Sequence, residues 1–361
     1  MKLVIDVRLI NNSGIGTYIK NIIPSIVDYF DDVVVLGDPD IISQFNWSRN
    51  VKIIPFRAKV YSISEQLLYP RRIPVCDVFW VPHFNAPLLP VRSVKKMVTI
   101  HDVNHLSNPR YFSYIKRLWA KILYKNAAKR SNKICTVSEF SKSEILKHFS
   151  IDSSKINVIY GGVDQSFANK KTGKIDMILP LNYFLFVGNV KPHKNLIILL
   201  KAYNQLKTEL KEIYKLVILG RKDGFITQDT EIFNYIEDHD LIENIHFTGY
   251  VPDNQVSEAY RNATLFIFPS LYEGFGLPLL EAMACEVPVL SSDKASLPEV
   301  GGDAVLYFDP NDPFNLKEQI IRLLSDDKLR LELKQKGLQQ IKNFDWKFSI
   351  KKHIAILKKL G

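Results

Sequence analysis

A two-domain α/β architecture built on doubly wound parallel sheets is the fold class this sequence predicts. Three observations carry that expectation. Short apolar, strand-like runs alternate with amphipathic helical patterns along the whole chain. The alternation breaks at a polar stretch, Asp164-Gln-Ser-Phe-Ala-Asn-Lys-Lys-Thr-Gly-Lys174, and then restarts. With 361 residues, the chain is also too long for one ordinary hydrophobic core.

The elements follow in order. Strands are expected at Leu3–Asp6, Val33–Leu36, Val51–Ile54, Val78–Val81, Val98–Ile100, Ile134–Val137 and Asn157–Ile159. After the polar stretch they resume at Tyr183–Val187, Leu216–Leu219, Ile245–Phe247, Leu265–Phe268, Val287–Leu290 and Val305–Tyr307. Helical patterns separate them, as right-handed crossovers between parallel strands require. The expected domains are residues 1–163 and 164–344. A last lysine-rich helix, 345–361, opens at Phe344-Asp-Trp346 and crosses back onto the first domain. Ligands of such sheets bind at the carboxyl ends of the strands, so a cleft between two facing domains is the expected site.

Composition narrows the function. Apolar residues make up 46% and charged residues 24%, which describes a globular protein, not a disordered or fibrous one. No apolar run approaches the roughly 18 residues that span a bilayer. Met1-Lys-Leu-Val-Ile-Asp6 enters a strand at once, so no secretory signal is expected. Cys76, Cys135 and Cys285 sit among apolar neighbours without ligand spacing, and read as reduced core residues of a cytoplasmic protein. The net charge of +10 calls for a polyanionic partner or surface, yet no nucleic-acid-binding signature is present. Positive charge gathers at Tyr69-Pro-Arg-Arg72 and through Lys116–Arg130, where Ile115, Leu118, Trp119, Ile122 and Leu123 recur at helical spacing. That segment reads either as a helix lying on an anionic membrane or as a core helix with a solvated lysine face.

The chemistry concentrates in Ser270-Leu-Tyr-Glu-Gly-Phe-Gly-Leu-Pro-Leu-Leu-Glu281, which follows the strand Leu265–Phe268. A helix is expected to begin near Pro278, with Glu273 in the preceding turn and Glu281 about one turn inside. The N–H groups of Phe275, Gly276 and Leu277 would then face an anion at the helix N-terminus. A phosphate cradle flanked by two carboxylates suits a ligand that is both phosphorylated and polyhydroxylated. Gly188-Asn-Val-Lys-Pro-His-Lys-Asn195 adds Lys194 and Lys191 at another strand end, and Arg221 follows the strand after that. Ser13-Gly-Ile-Gly-Thr17 follows the first strand, with a helix expected from about Tyr18; Gly14 and Gly16 would let backbone approach a ligand, or simply make a tight turn. His101, directly after a strand, either bonds a sugar hydroxyl or stabilises charge at a reacting centre, or else caps its own turn. His83 is placed similarly. Two triplets, Asp38-Pro-Asp40 and Asp238-His-Asp240, have the spacing of a cation site, but Pro39 stiffens the first and a charged helix holds the second, so no metal is expected.

With those residues in place, the chain resembles the retaining nucleotide-sugar glycosyltransferases of the group 1, two-glutamate type, mannosyltransferases above all. The resemblance covers nearly the whole chain. It runs through Gly14-Ile-Gly16, Thr99-Ile-His-Asp102, Thr136-Val-Ser-Glu139, Gly162-Val-Asp164 and Lys194-Asn195, and is most specific from Pro269 to Pro310. It implies the GT-B fold, two Rossmann-like domains facing a central cleft, with acceptor on the first domain and nucleotide sugar on the second. It assigns Glu273 and His101 to the transferred hexose, Glu281 to the ribose, Lys194 to the diphosphate, and Gly14 and Gly16 to the donor phosphates. It implies metal-independent transfer with no cofactor, from GDP-mannose before a UDP-hexose or dTDP-rhamnose. The acceptor would be a glycan, lipid-linked and part of cell-surface polysaccharide synthesis (O-antigen, capsule or exopolysaccharide), reached by an enzyme peripheral on the inner membrane face. Two positions depart from the pattern. Asn189 stands where many members carry arginine, leaving Arg221 or Lys191 to supply the charge, and Gly161-Gly162 replaces an Asn-Gly at the interdomain junction. An epimerase on the same scaffold and a non-catalytic subunit docking a membrane or partner are the alternative readings.

Overall fold

A computed structural model of the protein describes residues 1–168, 178–220, 230–249 and 251–361. The chain divides into two compact units, one of Met1–Gly161 with Asp345–Gly361, the other of Gly162–Phe344. Among the described residues, no helix is long and apolar enough to cross a membrane.

The first unit carries a seven-stranded sheet in the order β3-β2-β1-β4-β5-β6-β7. Its strands are β1 (Lys2–Asp6), β2 (Asp32–Gly37), β3 (Lys52–Pro55), β4 (Cys76–Val81), β5 (Ser93–Thr99), β6 (Lys133–Thr136) and β7 (Ile156–Val158). All pairings are parallel, with Leu3 opposite both Val33 and Val78. Parallel strands are covered on both faces and therefore read as continuous apolar runs. Leu3, Val4 and Ile5 are accordingly fully buried. β5 begins earlier than its apolar run, because Lys95 and Lys96 continue the ladder where the strand is only half covered.

The second unit has a six-stranded parallel sheet, β10-β9-β8-β11-β12-β13. These strands are β8 (Tyr183–Val187), β9 (Lys215–Leu219), β10 (Ile245–Gly249), β11 (Leu265–Phe268), β12 (Val289–Ser292) and β13 (Leu306–Phe308). β12 starts two residues later than its apolar pattern, just past Pro288, which lacks the N–H a ladder needs. In both sheets the strand order turns back beside the first strand, β1 or β8, so loops after neighbouring strands splay apart there and leave room for a ligand.

Six helices bear on function: α1 (Ser13–Tyr29), α2 (Ile63–Arg72), α3 (Tyr114–Arg130), α4 (Leu196–Asn204), α5 (Leu277–Ala284) and α6 (Trp346–Leu360). α1 begins at Ser13, five residues before the expected start, so Gly14 and Gly16 lie inside its first turns instead of in a loop. Gly16 has a reason within the chain itself: a Cβ there would lie 2.4 Å from the Ile10 carbonyl oxygen. Gly14 meets nothing within 4 Å and stays open to solvent. α3 divides the apolar positions that the sequence singled out, burying Leu123 and exposing others. Its core side is Ala120, Leu123, Tyr124, Ala127 and Ala128, whereas Ile115 is 79% exposed and Leu118 and Ile122 also face outward. Trp119 is half-buried and donates its indole N–H to the Tyr61 carbonyl. Of the polar stretch 164–174, Gln165–Ala168 is a helical turn and 169–174 lie outside the described residues.

Candidate active site

The second unit gathers its candidate groups at the carboxyl ends of β8 and β11. β8 ends in Gly188, whose φ of +147° no side chain favours, and a Cβ on Gly220 would lie 2.3 Å from the Gly188 carbonyl. The loops after β8 and β9 therefore touch backbone to backbone. A 3₁₀ turn, Pro192–Lys194, then leads through left-handed Asn195 into α4. Buried Asn195 donates to the carbonyls of Pro269 and Pro310, at 3.2 and 2.8 Å, joining the loops that follow three different strands.

This placement sets Lys194 against Glu273, with Nζ 2.6 Å from Oε1. The two side chains are only 16% and 15% exposed, and the ammonium also lies over the Phe268 ring. The Glu273 loop is stitched from below. Leu271 N–H donates to the His193 carbonyl at 2.8 Å, and Ser292 Oγ donates to that of Ser270 at 2.6 Å. Ser296 Oγ lies 2.9 and 2.7 Å from the carbonyl oxygens of Glu273 and Phe275. His193 packs beside this pair; burial, opposed by Glu273, pulls its imidazole down to about 4, so it is neutral near pH 7.

α5 starts at Leu277 with Gly276 as its cap, in the left-handed region at φ +115°. Pro278 has no N–H, and Leu279 N–H is turned onto the Gly276 carbonyl at 3.0 Å. The anion-facing donors of this helix start are thus the N–H groups at and just before Leu277, the first helical residue. The Phe275 ring is buried against that of Phe344. Glu281 is half-buried one turn on, where it accepts the Tyr260 hydroxyl at 3.0 Å. Lys191 is exposed at the head of the 3₁₀ turn, and Asn189 is exposed beside it. Arg221 lies outside the described residues.

The first unit presents a different edge. His101 follows β5, and its Nε2–H donates to the Pro82 carbonyl at 3.0 Å. Burial keeps the imidazole below its usual range despite that bond and Asp102. The ring is therefore neutral, with its lone pair on Nδ1. Such a nitrogen accepts a hydrogen bond from a hydroxyl and does not donate one to an oxyanion. The Tyr18 ring meets it edge-on at 4.9 Å. His83 is buried, and its Nε2 lies 3.0 Å from the Tyr61 hydroxyl. At the end of β1, Arg8 is 6% exposed and holds Asp6 and Glu65, each at 2.6 Å.

Neither aspartate triplet gathers cation ligands. Asp38 caps the turn Pro39–Ile42, and both Asp38 and Asp40 hold Arg57. Asp238 ends a helix and Asp240 has a positive φ. Sequence reasoning missed Ser292, Ser296 and Tyr260, and gave Asn195 no role. Their function is to bond backbone or carboxylate groups distant in sequence, for which no local signal exists.

The two parallel sheets define a GT-B glycosyltransferase fold. At 15% identity, sucrose-phosphate synthase from Thermosynechococcus elongatus superposes with a TM-score of 0.80, over 100% of this chain and 99% of that one. Residues 170–340 match the family model for glycosyl transferases group 1, and residues 13–167 that for glycosyltransferase family 4. O-antigen chain mannosyltransferase B of Escherichia coli is 32% identical over 293 residues, 78% of this chain and 75% of that protein. O-antigen chain mannosyltransferase RfbU of Salmonella typhimurium is 32% identical over 289 residues, 79% and 75% respectively. The chain belongs to the group 1 glycosyltransferases.

Proposed function

We propose that this glycosyltransferase moves mannose from GDP-mannose to a lipid-linked glycan during cell-surface polysaccharide synthesis. The nucleotide sugar binds the second unit and the acceptor the first. Transfer retains the anomeric configuration and uses neither metal nor cofactor. The contact of Glu273 with Lys194 carries the reaction class: a carboxylate for the hexose hydroxyls and a cation for the diphosphate lie 2.6 Å apart. The two mannosyltransferase relatives support the choice of sugar and pathway.

In this reading the departing diphosphate gains negative charge as the glycosidic bond stretches. Lys194, the exposed Lys191 and the N–H groups before Leu277 stabilise that charge, the electrostatic contribution that dominates many enzymes. Glu281 takes the ribose hydroxyls while Tyr260 keeps it oriented. Neutral His101 accepts a hydroxyl of the transferred sugar through Nδ1. Gly14, with no side chain and nothing around it, leaves the start of α1 open to the donor phosphates.

The outward side of α3 supports an anionic membrane as the acceptor's location. Tyr114, Ile115, Leu118 and Ile122 are exposed among Lys116, Arg117, Lys121 and Lys125, and residues 108–138 contain no acid. Exposed Ile63 and Leu67 lie on α2, and Tyr61, two residues before that helix, accepts the Trp119 indole N–H of α3. Apolar insertion and lipid charge would act together on such a face.

The decisive experiment is a thermal-shift and transfer assay with GDP-mannose, UDP-glucose, UDP-N-acetylglucosamine and dTDP-rhamnose. A ligand that binds only the folded state raises its apparent stability. Stabilisation by GDP-mannose together with formation of an α-mannosyl product supports the reading. Transfer from another donor replaces the sugar assignment, and a β-linked product removes retention.

A further inference from the structure

The C-terminal helix α6 does more than cover the first unit. His353, fully buried on α6, has Nδ1 2.7 Å from the Ser349 carbonyl, so that nitrogen carries a proton. Burial holds the ring down to about 4, which leaves Nε2 as an acceptor near pH 7. Nε2 then takes the hydroxyl proton of Tyr18, 2.5 Å away. Thr99 Oγ1 lies 3.2 Å from that hydroxyl and 3.2 Å from the Trp80 indole nitrogen. Since Trp80 N–H only donates, every proton direction follows: Trp80 to Thr99, Thr99 to Tyr18, Tyr18 to His353, His353 to the Ser349 carbonyl. The Trp80 ring also stacks on His353, with centroids 5.3 Å apart.

All four side chains are at least 97% buried, and each polar atom in the chain is satisfied. Apolar residues of similar size would fill this space without the cost of burying polar groups. What a satisfied buried network adds is one arrangement in place of several. That arrangement fixes the Tyr18 ring, which stands perpendicular to the His101 ring, at 87° with centroids 4.9 Å apart. His101 is also held at Nε2 by Pro82 and at its carbonyl by Ser141 Oγ, and the perpendicular Tyr18 ring adds a contact to the imidazole ring itself. The second passage of the chain between the units, at Phe344 and Asp345, opens α6, and Trp346 also packs on Tyr18.

We infer that His353 is a positioning residue: through Tyr18 it orients the His101 imidazole toward the sugar. The consequence for turnover rests on the proposed contact of His101 with the sugar; the orientation itself does not. The test combines Tyr18→Phe, which keeps the ring and removes the hydroxyl, with His353→Phe and His353→Gln. Donor KM and kcat are measured with GDP-mannose, and the imidazole resonances of His101 are followed by NMR on the full chain. A displaced ring should lower kcat about tenfold or more with donor KM nearly unchanged. The His101 resonances should shift in Tyr18→Phe and His353→Phe, and His353→Gln, which can still accept from Tyr18, should recover both readouts in part. Leu357→Ala, also fully buried on α6, is the control for lost packing and should leave both readouts as they were. Unshifted His101 resonances in Tyr18→Phe and His353→Phe overturn the inference, as does an equal kcat loss in Leu357→Ala. Shifted resonances with full turnover by His101→Ala would keep the positioning and reject the catalytic reading of His101.

Discussion

The two units use the same sheet architecture, yet their candidate edges follow opposite electrostatic plans. In the second unit, Lys194 and Glu273 face each other at a loop mouth, with Lys191 exposed nearby and a helix start adding N–H groups. In the first, the strand-end cation Arg8 is buried and committed to Asp6 and Glu65, and the imidazoles of His101 and His353 are held neutral. An edge with available charge suits a diphosphate. A neutral edge of imidazoles, hydroxyls and aromatic rings suits sugar hydroxyls, which bond without bringing charge. In the proposed function the charged edge therefore takes the leaving group and, through Glu273, the hexose, while the neutral edge adds His101 to the sugar.

The strongest way to break this comparison is Glu273→Ala. Transfer should fall at least about 10²–10³-fold, as when a group aimed at the transition state is removed, while nucleotide binding measured by calorimetry survives. Full turnover by this variant would end the assignment. Next is Glu281→Ala, expected to weaken nucleotide binding roughly 10- to 100-fold, since hydrogen bonds to a charged group contribute about 1.5–3 kcal/mol; undiminished affinity would remove Glu281 from the ribose.

A titration sharpens the contrast between the units. His193 in the second and His353 in the first are both depressed to about 4 by burial, so the unfolded chain takes up their protons first as pH falls from 6.5. Their contribution to stability is complete above about pH 6.5 and lost on descent to about 4, roughly 3 kcal/mol for each at most. Denaturant melts at pH 7 and pH 5 should show the loss. His353→Phe should flatten only the part belonging to the first unit, and a pH-independent midpoint would contradict the assignment. The smallest effect is expected at α3. Neutralising Lys116, Arg117, Lys121 and Lys125 together should reduce co-sedimentation with phosphatidylglycerol vesicles by about 1 kcal/mol per charge at the surface, without changing donor affinity. Unchanged sedimentation removes α3 from the membrane argument.

Much of the fold was legible because parallel strands, covered on both faces, are nearly uninterrupted apolar runs, as in Tyr183–Val187. Boundaries were less so. β12 slid past Pro288, and α1 absorbed both glycines that had read as a loop; at Gly16 the Ile10 carbonyl leaves no room for Cβ, a tertiary contact with no local signal. The spacing of Glu273 and Glu281 was visible in a strand–turn–helix pattern. The serines and Asn195 that hold the turn were not, since each bonds a backbone atom some 20 to 115 residues away.

By itself, then, the sequence determined the alternating α/β order, the turn that offers two carboxylates, and the excess of positive charge. These are local quantities: periodicity, turn chemistry and composition. Tertiary structure alone decided that Lys194 meets Glu273, that Ile115, Leu118 and Ile122 of α3 face outward while Leu123 enters the core, and that a histidine near the C-terminus closes a proton chain behind His101. Each depends on which strand ends and helix faces become neighbours, and that is set by packing among residues far apart in the chain.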